Sequence, residues 1–392
     1  MSGIDTPTAP TGLAEIEQPS SDHAVDTHNG LHSDLGGLQR EHPGRSRNPV
    51  IKVVELAWLE FVKPDLDRAE RFALDFGFQV VERTPDVLTL RGTWSGVPCL
   101  VVRQGARAGF VGPTFLAESA TDVERLAKAH GAATTPTHGG TGVRLTDPSG
   151  FPVQVVAGLT TAVALPERPA LDLNVGTEPH RVNATQRAPL GAAQVQRLGH
   201  VVLESTRFRA ALDWYLDNLG MIVSDFLYID DMRDRGPTMA FIRCDLGSVP
   251  TDHHTLAMHL GMRNGYVHSA YQLTDLDAVA LGGRFLSEQG YKRVWGIGRH
   301  IQGSQIFDYW RDPDRLMFEH YADGDLFDCS LEPGWAQMSA SGLAQWGPTV
   351  SKDFLGTRPS PALVKALLKA LSEDDNDFDL TAARNLMKAM SA

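Results

Sequence analysis

The chain repeats itself, and the repeat limits what it can fold into. In the first half Val53–Glu60 reads as a strand, and a helix follows from about Asp65 to Phe76 with Gly77 at its end. In the second half Arg197–Glu204 is the strand, the helix runs from about Phe208 to Asn218, and Gly220 ends it. Glu60 to Gly77 spans 17 residues and Glu204 to Gly220 spans 16. A glycine just past the last apolar residue of a helix is a natural left-handed cap. Residues 115–122 then parallel 268–275, and Thr146–Gln154 parallels Arg311–Glu319. In the last pair an Asp-Pro turn opens onto an apolar strand in both copies. Self-similarity at this scale marks a duplicated supersecondary unit.

Three polar residues interrupt strand-like apolar runs of the second copy. They are His200 in Leu-Gly-His-Val-Val-Leu, His268 in Tyr-Val-His-Ser-Ala-Tyr, and Glu319 in Leu-Met-Phe-Glu-His-Tyr. Burying a polar side chain is costly unless it has a partner. Two neutral imidazoles and one carboxylate make the facial ligand set of a non-haem Fe(II) oxygenase, with the remaining coordination positions open. The repeat supplies its own control. On the alignment above, His200 falls on Leu56, His268 on Phe115 and Glu319 on Gln154, so the fold itself does not demand these side chains. The first copy is expected to lack a metal and to support the second.

A formal charge of −12 argues against a general nucleic-acid partner and against attraction to an anionic membrane surface. No apolar run approaches the roughly 20 residues of a membrane span. Residues 1–47 lack a secretory h-region and are rich in Pro, Gly, Ser, Asp and His. They are expected to form a disordered leader, with His23, His28, His32 and His42 solvated. Cys99, Cys244 and Cys329 show no paired spacing, which suits a reducing cytoplasm.

At these residues the chain resembles the type I extradiol catechol dioxygenases of the vicinal oxygen chelate superfamily, over about residues 50–348. Further spacings carry the resemblance. His254 lies 14 residues before His268, in Asp-His-His-Thr-Leu-Ala-Met; His300 and Tyr309 lie 19 and 10 residues before Glu319. Glu319-His320-Tyr321-Ala322-Asp323-Gly324-Asp325 and Gln345-Trp346-Gly347-Pro348 also have the family look.

The resemblance implies an α+β fold of tandem βαβββ modules forming two barrel-like domains, with a helical tail at the C-terminus. The expected division is a leader to residue 47, an N-terminal domain over 48–158, a linker over 159–194, a catalytic domain over 195–330 and an extension over 331–392. It further implies Fe(II), or Mn(II), held by His200, His268 and Glu319. The metal would bind the diol as an anion beside O2, and the ring would open next to one hydroxyl. By the same resemblance His254 is the acid–base residue, Tyr309 bonds a substrate oxygen, and His300 orients the diol. A cytoplasmic homo-oligomer acting in aromatic catabolism is the expected setting.

Adjacent residues of a strand face opposite ways. On that ground His253 and His320, and His259 five residues from His254, are expected to face away from the metal. Some relatives that take carboxylated catechols have an Arg where this chain has Trp295. With Phe307 and Ile301, Trp295 suggests an apolar wall; a core-packing role fits it as well. Biphenyl-type relatives often carry an Asp where this chain has Gly303. Asp230, Asp231, Arg233, Asp234 and Arg235 read as a solvated loop. Pro361 opens an amphipathic helix with Leu363, Leu367, Leu368 and Leu371, and an acidic run at 373–377 separates it from a second helix at about 380–390. These helices suit a hairpin packed on the barrel, a subunit contact or a pocket lid. Two rival functions stand beside ring cleavage. One is another metal-dependent vicinal oxygen chelate enzyme, such as a hydrolase or a glyoxalase-type isomerase, the latter drawing four ligands from two modules. The other is a metal-free binding protein of the bleomycin-resistance type.

Overall fold

The computed structural model describes residues 42–356, 361–373 and 375–391. The first copy contains β1 (Val53–Lys63), α1 (Leu66–Phe76), β2 (Gln79–Arg83), β3 (Val87–Arg91), β4 (Leu100–Gln104), β5 (Gly109–Ala117), α2 (Ala120–Ala129), β6 (Thr134–Thr137), β7 (Gly140–Thr146) and β8 (Pro152–Ala157). The second contains β9 (Arg197–Ser205), α3 (Phe208–Leu219), β10 (Ile222–Tyr228), β11 (Met239–Arg243), β12 (Thr251–Asp252), β13 (Leu256–Leu260), β14 (Gly265–Gln272), α4 (Leu276–Glu288), β15 (Lys292–His300), β16 (Ile306–Arg311) and β17 (Met317–Ala322). Short strands β18 (Leu326–Phe327), β19 (Gly334–Gln337) and β20 (Ala344–Trp346) follow, then α5 (Pro361–Ser372) and α6 (Leu380–Ala389). Each copy is thus two βαβββ modules in tandem.

The first sheet has the order β2-β3-β4-β1-β5-β8-β7-β6. The second has β19-β10-β11-β13-β9-β14-β17-β16-β15-β20. Without the edge strands β19 and β20, the two orders match strand for strand. The pairing senses match too. β1 is parallel to β4 and antiparallel to β5, as β9 is to β13 and β14. The expected helix ends hold: Asp65 caps α1 through the Arg68 N–H, and Gly77 and Gly220 close α1 and α3 with left-handed φ of 118° and 62°.

The bulges repeat as well. Besides Val54, Ala57 is an unpaired extra residue of β1, matched by Gly199 of β9; Val111 is the extra residue of β5 and Val267 that of β14. Two of these four bulges therefore stand immediately before His200 and His268. A bulge bends the strand and re-aims the next side chain. Counting strand partners through them places His200 on Trp58 and His268 on Gly112, while Glu319 stays on Gln154. This corrects the sequence alignment, which put Leu56 and Phe115 there. The first copy still offers no metal-binding trio at these positions.

The halves share an aromatic core. On β17 the side chains alternate, so Glu319 points into the sheet's concave interior while Phe318 and His320 point out. Phe318 packs among Phe61, Phe72 and Phe76 of the first copy, with ring centres 5.9, 5.3 and 5.7 Å away. His320 donates from Nε2 to the Phe76 carbonyl at 2.7 Å. Lys63, buried at the end of β1, forms an ion pair with Asp312 at the turn into β17. The strand that carries the carboxylate is therefore held from outside by the first copy.

Of the expected leader, residues 1–41, with His23, His28 and His32, lie outside the described residues. Residues 42–47 sit on the second half: the Gly44 carbonyl accepts from Val223 N–H at 2.7 Å, and His42 Nε2 bonds Asp213 at 3.0 Å. The acidic run does more than separate the tail helices. Asp375 pairs with Arg207, Asp377 with Arg209 at 3.0 Å and Asp379 with Arg235 at 2.8 Å. Lys388 of α6 reaches Asp231 at 2.6 Å. Residues 230–235 form a short 3-10 turn rather than an irregular loop, with Asp230, Asp231 and Asp234 exposed as expected and Met232 buried.

Candidate metal centre

Five side chains form one row across the second sheet. His200 on β9 pairs with Ala270 on β14, Ala270 with Glu319 on β17, Glu319 with Tyr309 on β16, and Tyr309 with Trp295 on β15. Residues paired across a sheet share a face, and His268, two residues before Ala270, shares it as well. Ala270 is the smallest member of the row, and its methyl leaves the space between His200 and Glu319 unfilled.

Nε2 of His200 and Nε2 of His268 each stand 3.3 Å from the same Glu319 oxygen. The three donor atoms lie within 4.8 Å of one another. Neither carboxylate oxygen accepts an aligned hydrogen bond, although both are fully buried. A buried carboxylate without donors is expensive. Two nitrogens and an oxygen converging on one point, rather than bonding each other in pairs, fit a divalent cation at that point. Burial pushes the Glu319 pKa up, but the two close imidazoles outweigh it and hold the carboxyl well below its usual range. Burial pulls His268 down to about 4, against the pull of Glu319, so its ring is a neutral donor at neutral pH. The Nδ1 atoms of both ligand rings have no protein partner. His200 is held instead between the rings of His254, 4.0 Å away, and Tyr321, 5.7 Å away. Gly199 matters here, because any Cβ at that bulge would enter the Tyr321 ring.

His300 and Tyr309 meet beside the carboxylate. His300 donates from Nδ1 to the Leu343 carbonyl at 2.7 Å, which leaves Nε2 to accept the Tyr309 O–H at 2.7 Å. His300 Nε2 is 3.9 Å from Glu319. Burial lowers the His300 pKa, and burial together with Glu319 raises that of Tyr309 well above 10, so imidazole and phenol both stay neutral. Trp295 and Phe307 back this pair. Trp295 lies parallel to Tyr309 at 5.8 Å and 4.1 Å from Phe307, and its indole N–H donates to the Pro348 carbonyl at 2.7 Å. Both are buried, so they meet the site as packing behind His300 and Tyr309. Ile301, just beyond β15, is half-buried.

His254 precedes β13 and lies against His200. Burial, then the neighbouring imidazoles, depress its pKa well below 6.5. His320 faces outward as expected. His259 also keeps away and bonds the Leu260 carbonyl at 3.1 Å. His253 turns toward His254, its Nδ1 3.0 Å from His254 Nδ1. Residues 253–255 lie between β12 and β13, outside any strand, so alternation does not govern them.

Sequence reasoning missed Asp225, Ala270 and Phe354. Asp225 bonds His253 Nε2 at 2.6 Å. It too is a polar residue inside an apolar strand, the signal that revealed His200. Ala270 gives no such signal, and Phe354, 4.8 Å from both Tyr309 and Trp295, arrives from a distant loop that no pattern places there.

Residues 197–320 match the family model of the Glyoxalase/Bleomycin resistance protein/Dioxygenase superfamily. The chain is 30% identical over 339 residues to metapyrocatechase 2 of Cupriavidus necator, covering 84% of this chain and 98% of that one. Among solved structures it resembles the Mn(II)-bound glyoxalase from Novosphingobium aromaticivorans, with TM-score 0.64, 22% identity and coverage of 79% and 95%. It also resembles a variant of homoprotocatechuate 2,3-dioxygenase from B. fuscum, with TM-score 0.62, 20% identity and coverage of 79% and 83%. The two structural likenesses speak for the fold, and the metapyrocatechase match for the lineage: the chain belongs to the metapyrocatechase-type extradiol dioxygenases of the vicinal oxygen chelate superfamily.

Proposed function

We propose that the protein is an extradiol dioxygenase that opens a catechol-type diol with O2 at a metal held by His200, His268 and Glu319. The observation that carries this reading is the fully buried Glu319 carboxylate, bare of aligned donors and 3.3 Å from two imidazole nitrogens. A divalent ion held by these three side chains would supply the means to bind a diol and O2 together and to pass electrons between them.

The remaining chemistry belongs to side chains. His254, neutral beside His200, takes the proton that a diol loses on binding and returns one later. Tyr309, protonated and bound to His300, presents its hydroxyl to a substrate oxygen, and His300 sets its direction. Trp295 and Phe307 pack behind this pair and hold it in place; the preference for an alkyl, aryl or fused-ring catechol over a charged one rests on Trp standing at position 295, where some relatives that take carboxylated catechols have an Arg. We extend the reading to Fe(II) in preference to Mn(II), to a homo-oligomer and to the cytoplasm. Three free cysteines, two of them buried, agree with a reducing compartment. No helix among the described residues is long and apolar enough to cross a membrane.

Anaerobic reconstitution with Fe(II), followed by O2 and a panel of substituted catechols, tests the reading. A yellow ring-opened product supports it. Thioester formation from a hemithioacetal in its place overturns it in favour of an isomerase. Ligand binding that is indifferent to chelator overturns it in favour of a metal-free binder. His254→Phe should keep its metal and lose about 10²-fold or more in kcat; full activity removes His254 from the role.

A further inference from the structure

His254 is the inner end of a buried chain of three groups. Asp225 Oδ2 lies 2.6 Å from His253 Nε2, and His253 Nδ1 lies 3.0 Å from His254 Nδ1. All three are buried. Asp225 follows the extra residue Ser224 of the β10 bulge, which turns its carboxylate inward. Ser224 spans the same link from the side, donating its hydroxyl to the His253 carbonyl at 2.6 Å and accepting from Arg243 Nη1 at 2.8 Å. The His253 ring is walled by Phe241 and Phe327 at 5.4 and 5.3 Å. Gly303 presses on it as well: with φ of +78°, a Cβ there would stand 3.0 Å from His253 Nδ1.

Donor and acceptor roles along such a chain are not free. An ionised carboxylate only accepts, so His253 must carry its proton on Nε2. The Nδ1 of a neutral His253 is then a lone pair and can only accept, and His254 must donate from Nδ1. That leaves the lone pair of His254 on Nε2, the ring nitrogen not engaged by His253. We propose that Asp225 and His253 are positioning residues that fix His254 in the one neutral tautomer able to take a proton at Nε2. The proposal rests on His254 being the proton acceptor of the reaction. When a diol hydroxyl passes its proton to Nε2, the Nδ1–H stays on His254 and remains bonded to His253. The new positive charge is then balanced through His253 by the Asp225 carboxylate. The arrangement orients a catalytic imidazole by a second hydrogen-bonding group, as carboxylates do for other acid–base histidines.

The isosteric variant Asp225→Asn separates this from a packing role. An asparagine amide can donate to His253 Nε2, which moves the His253 proton to Nδ1 and forces the His254 proton to Nε2. Nitrogen-15 NMR of histidine-labelled, metal-free protein reads the tautomer directly. The wild-type chain should show His254 protonated on Nδ1 and bare on Nε2, and Asp225→Asn should show the reverse. With Fe(II) restored, Asp225→Asn should lose about 10²-fold in kcat with little change in KM. A wild-type His254 protonated on Nε2 overturns the proposal, whatever the variant does. So does an Asp225→Asn enzyme with wild-type kcat while His254→Phe is impaired. Full activity in His254→Phe instead overturns the underlying role of His254, and the tautomer measurement on the metal-free protein still decides whether Asp225 and His253 set the ring.

Discussion

His320 donates from Nε2 to the main-chain carbonyl of Phe76, 2.7 Å away and 244 residues earlier in the chain. The bond joins the outward face of the strand carrying Glu319 to the last turn of α1, where a helix leaves its carbonyls without intrahelical partners. His320→Phe would keep the ring contact with Phe76, now 3.8 Å between centres, and leave that carbonyl buried and unpaired. A loss of about 1–3 kcal/mol in urea unfolding is expected. An unchanged midpoint would show that the bond adds nothing.

Lys63 binds the same two halves by charge. Its ammonium and the Asp312 carboxylate are both buried, with the Asp314 carboxylate 3.6 Å from the ammonium. Lys63→Met leaves two carboxylates close together without their common cation. A destabilisation of about 3–5 kcal/mol follows from removing one partner of a buried pair. Chemical denaturation of the variant checks it, and Asp312→Asn in the Lys63→Met background should recover part of the loss.

Ala270 separates His200 from Glu319 in the transverse row. Ala270→Leu should fill the gap where the three ligands meet. The expected result is a folded protein with unchanged far-UV circular dichroism and little bound metal in elemental analysis. His200→Ala and Glu319→Ala should also lose metal, each by removing a ligand instead of blocking access. Full metal occupancy in Ala270→Leu would place the metal elsewhere.

Asp308 gives the stability a pH dependence of known sign. Burial raises its pKa from 3.8 to about 7, against the pull of Arg293 at 2.9 Å. Between about pH 4 and 7 the folded chain holds a proton that the unfolded chain has lost. Unfolding in that window releases it, so this group's contribution to stability falls as pH rises and levels off above about 7. The slope approaches 1.4 kcal/mol per pH unit for one proton. Asp308→Asn should remove that slope from the difference between the two proteins' unfolding curves. Parallel curves across pH 4–7 would contradict the shift.

Much of the architecture is legible in the sequence because it rests on local chemistry. Gly77 and Gly220 stop their helices by adopting a left-handed φ, and Asp-Pro turns start the last strand of each copy. His200, His268 and Glu319 stand out because each is a polar side chain in an apolar strand, a pattern that needs no three-dimensional knowledge to see. Their convergence is different. It depends on strand register, and the bulge residues Ala57, Gly199, Val111 and Val267 shift that register by amounts a linear alignment cannot count. The same shifts moved the first-copy counterparts from Leu56 and Phe115 to Trp58 and Gly112.

Sequence alone therefore determined the duplication and singled out His200, His268 and Glu319 as polar residues in apolar strands, since these follow from residue identity and spacing along one chain. Tertiary structure decided which residues oppose one another across the strands: Ala270 between His200 and Glu319, and Trp295 behind Tyr309. It also decided that His253 faces its neighbour and that Asp225 bonds its far nitrogen. Such contacts join residues far apart in the chain, or turn on an irregular backbone between strands, and neither is encoded in any local period of the sequence.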